Sequence, residues 1–122
     1  MEWNIVLHDK NDYVEVITSG IADKEGSLNM ARAIADTMRT HRMTKILIDH
    51  CNIEGVAGTT IEIYDRPTVF KLIGILLSIK IAEIIKPEHW EHFRFFETVC
   101  RNRGYQLSVF EDKDKALAWL LA

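Results

Sequence analysis

Cysteine and proline are scarce in this sequence and an excess of basic charge is absent. The cysteine pattern and the charge each exclude a class of protein. Its 122 residues include two cysteines and two prolines, and the formal net charge is −3. Cys51 and Cys100 form no CxxC pair, and the N-terminus has no secretory signal pattern, so we expect free thiols in a cytoplasmic protein. A net acidic chain without a basic patch is not expected to bind nucleic acid.

The sequence also lacks long hydrophobic runs and the short motifs that accompany most catalytic and cofactor sites. The most apolar stretch, 69–85, is interrupted by Lys71, Lys80 and Glu83, so we expect no membrane insertion. The loop around Gly55 and Gly58 matches neither GxGxxG nor a Walker A motif, and no HExxH is present. We therefore predict a protein without a cofactor, a metal or enzymatic activity.

Alternating and helical hydrophobic patterns are present along the whole chain. The first two segments, 3–8 and 13–19, alternate apolar and polar residues around a polar link, which predicts an antiparallel hairpin ended by Gly20. Asp23 is expected to cap a helix that runs to about Thr40.

The rest of the chain alternates strands and helices, which favours parallel pairing. Asp112 is expected to cap the last helix, and Gly104 to follow the end of the one before it. Pro67 either kinks or breaks the helix predicted at 59–77, and the sequence leaves both open. The predicted strands are 45–50, 78–85 and 105–110, with a loop at 51–60 and helices at 59–77, 87–103 and 112–120.

The predicted fold is one α/β domain over residues 1–122, in the order β-β-α-β-α-β-α-β-α. Its mixed, mostly parallel sheet begins with an antiparallel hairpin and is packed by about four helices. The residues with family resemblance are the hairpin, Ile46–Asp49, Phe95–Glu97, Arg101–Gly104, Val109–Asp112 and Ala116–Leu120. On these residues the chain resembles the SpoIIAA-like, or STAS-domain, family.

The resemblance implies an interaction module, since related folds act as anti-sigma-factor antagonists, transporter modules and lipid-carrier domains. Phosphorylated antagonists carry an Asp-Ser-Ser-Gly-like turn where this chain has Ala57-Gly58-Thr59-Thr60. Thr59 lies near the position of the modified serine, but its acidic and serine neighbours are missing. We therefore expect Thr59 or Thr60 to cap a helix rather than to act as a phosphorylation switch.

Candidate site residues cluster where strands are predicted to end, because open α/β sheets place ligands there. A metal site or a Cys-His-Asp triad could in principle form from Asp49, His50, Cys51 and the histidines after the next strand. The spacing of these residues along the chain matches no motif of either kind of site. We interpret these positions as a ligand or partner site. Its candidate residues are Asp49, His50, Gly58, Thr59, Thr60, His89 and Trp90.

Two apolar helices carry the remaining predictions. Phe93, Phe96 and Cys100 share one helical face and are expected in the core, with Phe95 on another side. The segment 61–77 is apolar nearly all round, which favours burial by a second subunit, so we predict a homodimer. The leading hypothesis is a non-catalytic interaction module with an unknown protein partner. The alternative is a carrier of a small apolar ligand such as a fatty acid.

Overall fold

The computed structural model describes residues 1–57 and 78–122. The predicted helix 59–77, with Pro67 and the candidate residues Gly58, Thr59 and Thr60, lies outside the described residues. Within the described ranges, no helix is long and apolar enough to cross a membrane.

Within the described residues, five strands form one mixed sheet, in which each strand lies beside the next one along the chain. The strands are β1 (Glu2–His8), β2 (Tyr13–Ala22), β3 (Lys45–Val56), β4 (Lys80–Ile84) and β5 (Gln106–Phe110). The first two strands pair antiparallel, and every later pair is parallel. This confirms the predicted hairpin and the mostly parallel sheet, with β3 at its centre.

Three α-helices are described: α1 (Lys24–His41), α2 (Trp90–Asn102) and α3 (Lys113–Leu120), with a 3-10 turn at Pro87–His89 before α2. The predicted caps at Asp23 and Asp112 are confirmed, because each carboxylate accepts a hydrogen bond from a first-turn amide. Gly104 follows α2 at a φ of 90°, a backbone conformation that glycine adopts without steric cost.

Two predicted strand ends are wrong, because β2 continues past Gly20 and β3 continues past His50. The register of this pair shifts between Ile17 and Ser19 and again between Gly20 and Ile21, where Gly20 has a φ of 84°. A bulge absorbs an unpaired residue without ending the ladder. Most of the predicted loop 51–60 is therefore strand.

The two faces of the sheet bury different sets of helices, because successive side chains of a strand point to opposite faces. Helices α1 and α2 cover one face, and α3 covers the other. Leu47 faces α3, between Ile46 and Ile48, which face α1 and α2. This explains the unbroken apolar run of the central strand, which is buried on both sides.

Phe93, Phe96 and Cys100 are buried against the sheet, as predicted, and Phe95 is 37% exposed. We expect Phe96→Ala to lower the free energy of unfolding by about 3–5 kcal/mol, because it removes a buried ring and leaves a cavity. Phe95→Ala is the matched control on the outer side of α2 and should cost less than about 1 kcal/mol. Urea denaturation of both variants measures the difference. Equal losses would contradict this orientation of α2.

Candidate functional site

A cavity of about 60 Å³ lies between α1, α2 and the sheet. Most of its lining is apolar, contributed by methionine, isoleucine and phenylalanine side chains. The polar lining side chains belong to Ser27, His50, Glu83 and His92. One water molecule needs roughly 10–15 Å³ of such space, so the cavity has room for a small cluster of water molecules beside its apolar wall.

Behind this cavity, three buried polar side chains join three adjacent strands. The Thr18 hydroxyl lies 2.7 Å from His50 Nδ1, and His50 Nε2 lies 2.8 Å from Glu83 Oε2. Thr18 is 0% exposed, Glu83 3% and His50 4%. Phe93 stacks on the imidazole at 4.8 Å between ring centroids. An aromatic ring and two hydrogen bonds therefore hold His50 in one orientation.

The hydrogen bonds restrict where protons lie in this network. Thr18 also lies 3.2 Å from the carbonyl oxygen of Asp49, which can only accept. When its hydroxyl donates to that carbonyl, the Thr18 oxygen accepts from His50 Nδ1–H. A single proton then joins Nε2 and the Glu83 carboxylate, either as an imidazolium–carboxylate pair or as a neutral imidazole with a carboxylic acid. In both forms each buried polar atom of the pair is satisfied.

Thr18 and Glu83 were missed by sequence reasoning because they are far from His50 along the chain. Strand pairing brings the three together, since Ile17 lies opposite Asp49 and Ile48 lies opposite Glu83. One signal was available: Glu83 interrupts the apolar run at 81–85. A carboxylate at a buried strand position needs a partner, which could have pointed to a nearby imidazole.

Asp49 and His50 are neighbours in sequence but lie on opposite faces of β3. Asp49 Oδ1 accepts a hydrogen bond from the backbone amide of Cys51 at 2.9 Å. Because β3 continues to Val56, these residues lie within the strand instead of at its carboxyl end. The structure therefore does not bring the Asp49 carboxylate and the His50 imidazole into one site.

The Cys51 thiol has the environment of a poor nucleophile. Partial burial of the thiol, a hydrogen bond with Asp49 and the negative charge of that carboxylate together raise its pKa to about 11. Lys86 lowers the pKa but does not offset these effects. Since the thiolate is the reactive form, this cysteine is not activated at neutral pH.

The predicted residues after β4 occupy the turn that leads into α2. His89 is partly exposed, although its Nε2 atom is buried and has no hydrogen-bond partner among residues 1–57 and 78–122. Trp90 packs partly against the core and lies 5.9 Å from the Arg94 guanidinium. Neither residue lines the cavity, whereas His92 does. Within residues 1–57 and 78–122, no three acidic, histidine or cysteine side chains are grouped to hold a metal.

The described fold is similar to two solved structures. One is the unphosphorylated anti-sigma factor antagonist SpoIIAA, with 12% identity, a TM-score of 0.55, and coverage of 97% of this chain and 96% of that one. The other is an uncharacterized DUF3478 protein with a SpoIIAA-like fold from Shewanella loihica PV-4, with 18% identity, a TM-score of 0.59, and coverage of 98% and 92%. These likenesses confirm the SpoIIAA-like fold. No protein-family model and no curated protein matches the sequence.

We expect Glu83→Ala to lower the free energy of unfolding by about 3–5 kcal/mol, because it leaves His50 buried without its partner. Glu83→Gln should cost less, since its amide can still donate to Nε2. Glu54→Ala, on the exposed side of β3, is the control and should change stability by less than about 0.5 kcal/mol. Chemical denaturation measures all three. A loss below about 1 kcal/mol for Glu83→Ala would mean that the pair does not stabilise the fold.

The raised pKa of Cys51 predicts slow alkylation near neutral pH. At about pH 8 roughly a thousandth of this thiol is ionised, against about a quarter for a thiol of ordinary pKa ~8.5. Reaction with iodoacetamide should therefore accelerate up to about pH 11. Asp49→Asn should speed the reaction, because it removes the negative charge that disfavours the thiolate. Cys100 is 0% exposed and serves as the unreactive internal control. Fast labelling of Cys51 at pH 8 in the unaltered protein would contradict the prediction.

Proposed function

From the SpoIIAA-like fold, we propose that this protein is a non-catalytic interaction module that acts in the cytoplasm as a homodimer. One solved protein with this fold, SpoIIAA, is described as an anti-sigma factor antagonist, a role directed at another protein. By analogy, the proposed partner of this chain is also a protein. Asp49, His89 and Trp90 stay in the proposal as partner contacts, because each remains partly exposed.

The observation that carries a non-catalytic role is the closed Thr18–His50–Glu83 network. Its hydroxyl, imidazole and carboxylate are the groups of a nucleophilic triad. However, Thr18 is 0% exposed and is not among the residues that line the cavity between α1, α2 and the sheet. Both nitrogens of His50 are also occupied by hydrogen bonds within the network. The arrangement therefore supports a structural role for these groups.

The cavity favours a second candidate function, a carrier of a small apolar ligand. Its mixture of apolar walls and a few polar groups is typical of small-molecule sites. Its volume of about 60 Å³ is well below the ~150 Å³ that holds a benzene molecule in an engineered cavity. A fatty-acid chain would need several lining side chains to move, so the carrier ranks below the interaction module.

Native mass spectrometry of gently purified protein distinguishes the two functions. We expect a dimer without bound small molecules, and no saturable binding of a dansyl-labelled fatty acid. Met30→Trp, which fills the cavity from α1, is the matched variant and should leave both results unchanged while its circular dichroism shows a folded protein. A lipid mass, or dansyl binding, that is lost in Met30→Trp would replace the interaction module with the carrier.

A further inference from the structure

The backbone N–H and C=O groups at the two edges of the sheet differ in their hydrogen-bond partners. At the β5 edge, side chains of α2 bond to these groups. Ile85 donates its amide to the Phe110 carbonyl at 2.8 Å, so Phe110 directs its backbone groups toward the β4 side. Because this direction alternates along a strand, Val109 and Leu107 point theirs away from the sheet. Glu97 Oε2 accepts from the Val109 amide at 2.7 Å, and Arg101 Nε donates to the Leu107 carbonyl at 2.8 Å.

This protection is built from buried charged groups. Glu97 is only 4% exposed, and its other carboxylate oxygen accepts from Arg94 at 2.6 Å. A strand that approached β5 would have to displace both Glu97 and Arg101 from the backbone. The β5 edge is therefore closed to pairing with another chain.

In the described structure, side chains do not protect the opposite edge, β1, in this way. Throughout the described part of the chain, no side chain bonds the backbone of residues 2–8 along that edge. Its seven pairs with β2 run in continuous register without a bulge, and the strand contains no proline or lysine. Proteins block exposed edges with these devices, so an open strand of seven residues is suited to accept another strand.

We propose that β1 pairs antiparallel with β1 of a second copy of this chain, about a twofold axis at Ile5. This register places Trp3 opposite Leu7 and each Ile5 opposite its counterpart. Trp3, Ile5 and Leu7 lie on the α1 side of the sheet and are partly exposed while packing against the core. The same three side chains from the second copy would cover them and extend the core across the axis.

The other face of β1 supports the same register through charge. Glu2 of one copy lies opposite His8 of the other, and Val6 lies opposite Asn4. His8 Nε2 already contacts Glu15 at 2.8 Å, which leaves Nδ1 for the second carboxylate. Val6 is 41% exposed, a large value for an apolar side chain in mid-strand. Because the strand is complementary to itself on both faces, a second copy is the occupant that it fits.

The β1 interface presupposes the proposed homodimer. Sedimentation equilibrium over a wide concentration range tests the homodimer and the interface separately. Val6→Lys places a lysine on each copy near the axis, at diagonal positions on one face, and should raise the dimer dissociation constant at least tenfold. Leu121→Lys is the matched control, because it changes an apolar side chain of similar exposure (38%) just after α3. It should leave the constant unchanged.

Hydrogen exchange of the unaltered protein gives a second measurement that needs no variant. Amides of residues 2–8 should exchange more slowly at high protein concentration than at low, while those of β5 should not change. A dimer that Val6→Lys leaves intact, or that shows no protection in β1, would overturn the β1 interface and leave the homodimer standing. A monomer at all concentrations would overturn both.

Discussion

The buried pair of His50 and Glu83 is the constraint on which the arrangement of the central strands depends. An imidazole and a carboxylate, each almost inaccessible to water, are stable in an apolar layer only when they bond each other. Thr18 completes the network from β2, so one set of hydrogen bonds joins three adjacent strands. A one-residue slip of β3 would turn His50 to the opposite face and leave Glu83 unpaired. We infer that this penalty specifies the register of β2, β3 and β4.

Two other buried carboxylates connect secondary-structure elements in a similar way. Glu97 joins α2 to β5, and Glu15 joins β2 to both β1 and α3 through His8 and Lys113. The hydrogen bond with Glu15, and then its charge, raise the pKa of Lys113. Lys113 is therefore stabilised as a cation in the folded state, a contribution that is lost only as the pH rises through its raised pKa. Half of this side chain is exposed, so solvent screening keeps the contribution small.

The roles of the buried carboxylates and of the Cys51 thiol are consistent with the proposed non-catalytic function. Buried acids are used to hold strands and helices together, and the exposed thiol is not activated. One sheet edge is closed by the same residues that attach α2. What the described surface leaves available is an unprotected strand and a few exposed apolar side chains, which suit binding better than chemistry.

Local signals in the sequence were sufficient for the order of the described elements, the two helix caps and the helical face that carries Phe93, Phe96 and Cys100. Each of these depends on residues within a few positions of one another, such as Asp23 and the amide of Gly26. The ends of the strands were harder to predict from local signals. Gly20 carries the usual signal for a turn, but the neighbouring strand supplies hydrogen bonds that carry β2 through it as a bulge.

By itself, the sequence determined an α/β domain with an N-terminal hairpin, because hydrophobic periodicity and capping are local properties. Only the tertiary structure decided which polar side chains meet. His50 was predicted beside Asp49 in a site, but the strand pleat separates the two, and parallel pairing brings Thr18 and Glu83 to His50 from strands that are distant in sequence. The same pairing decided which edge of the sheet α2 closes and which stays open, since an edge exists only after the strands have taken their places.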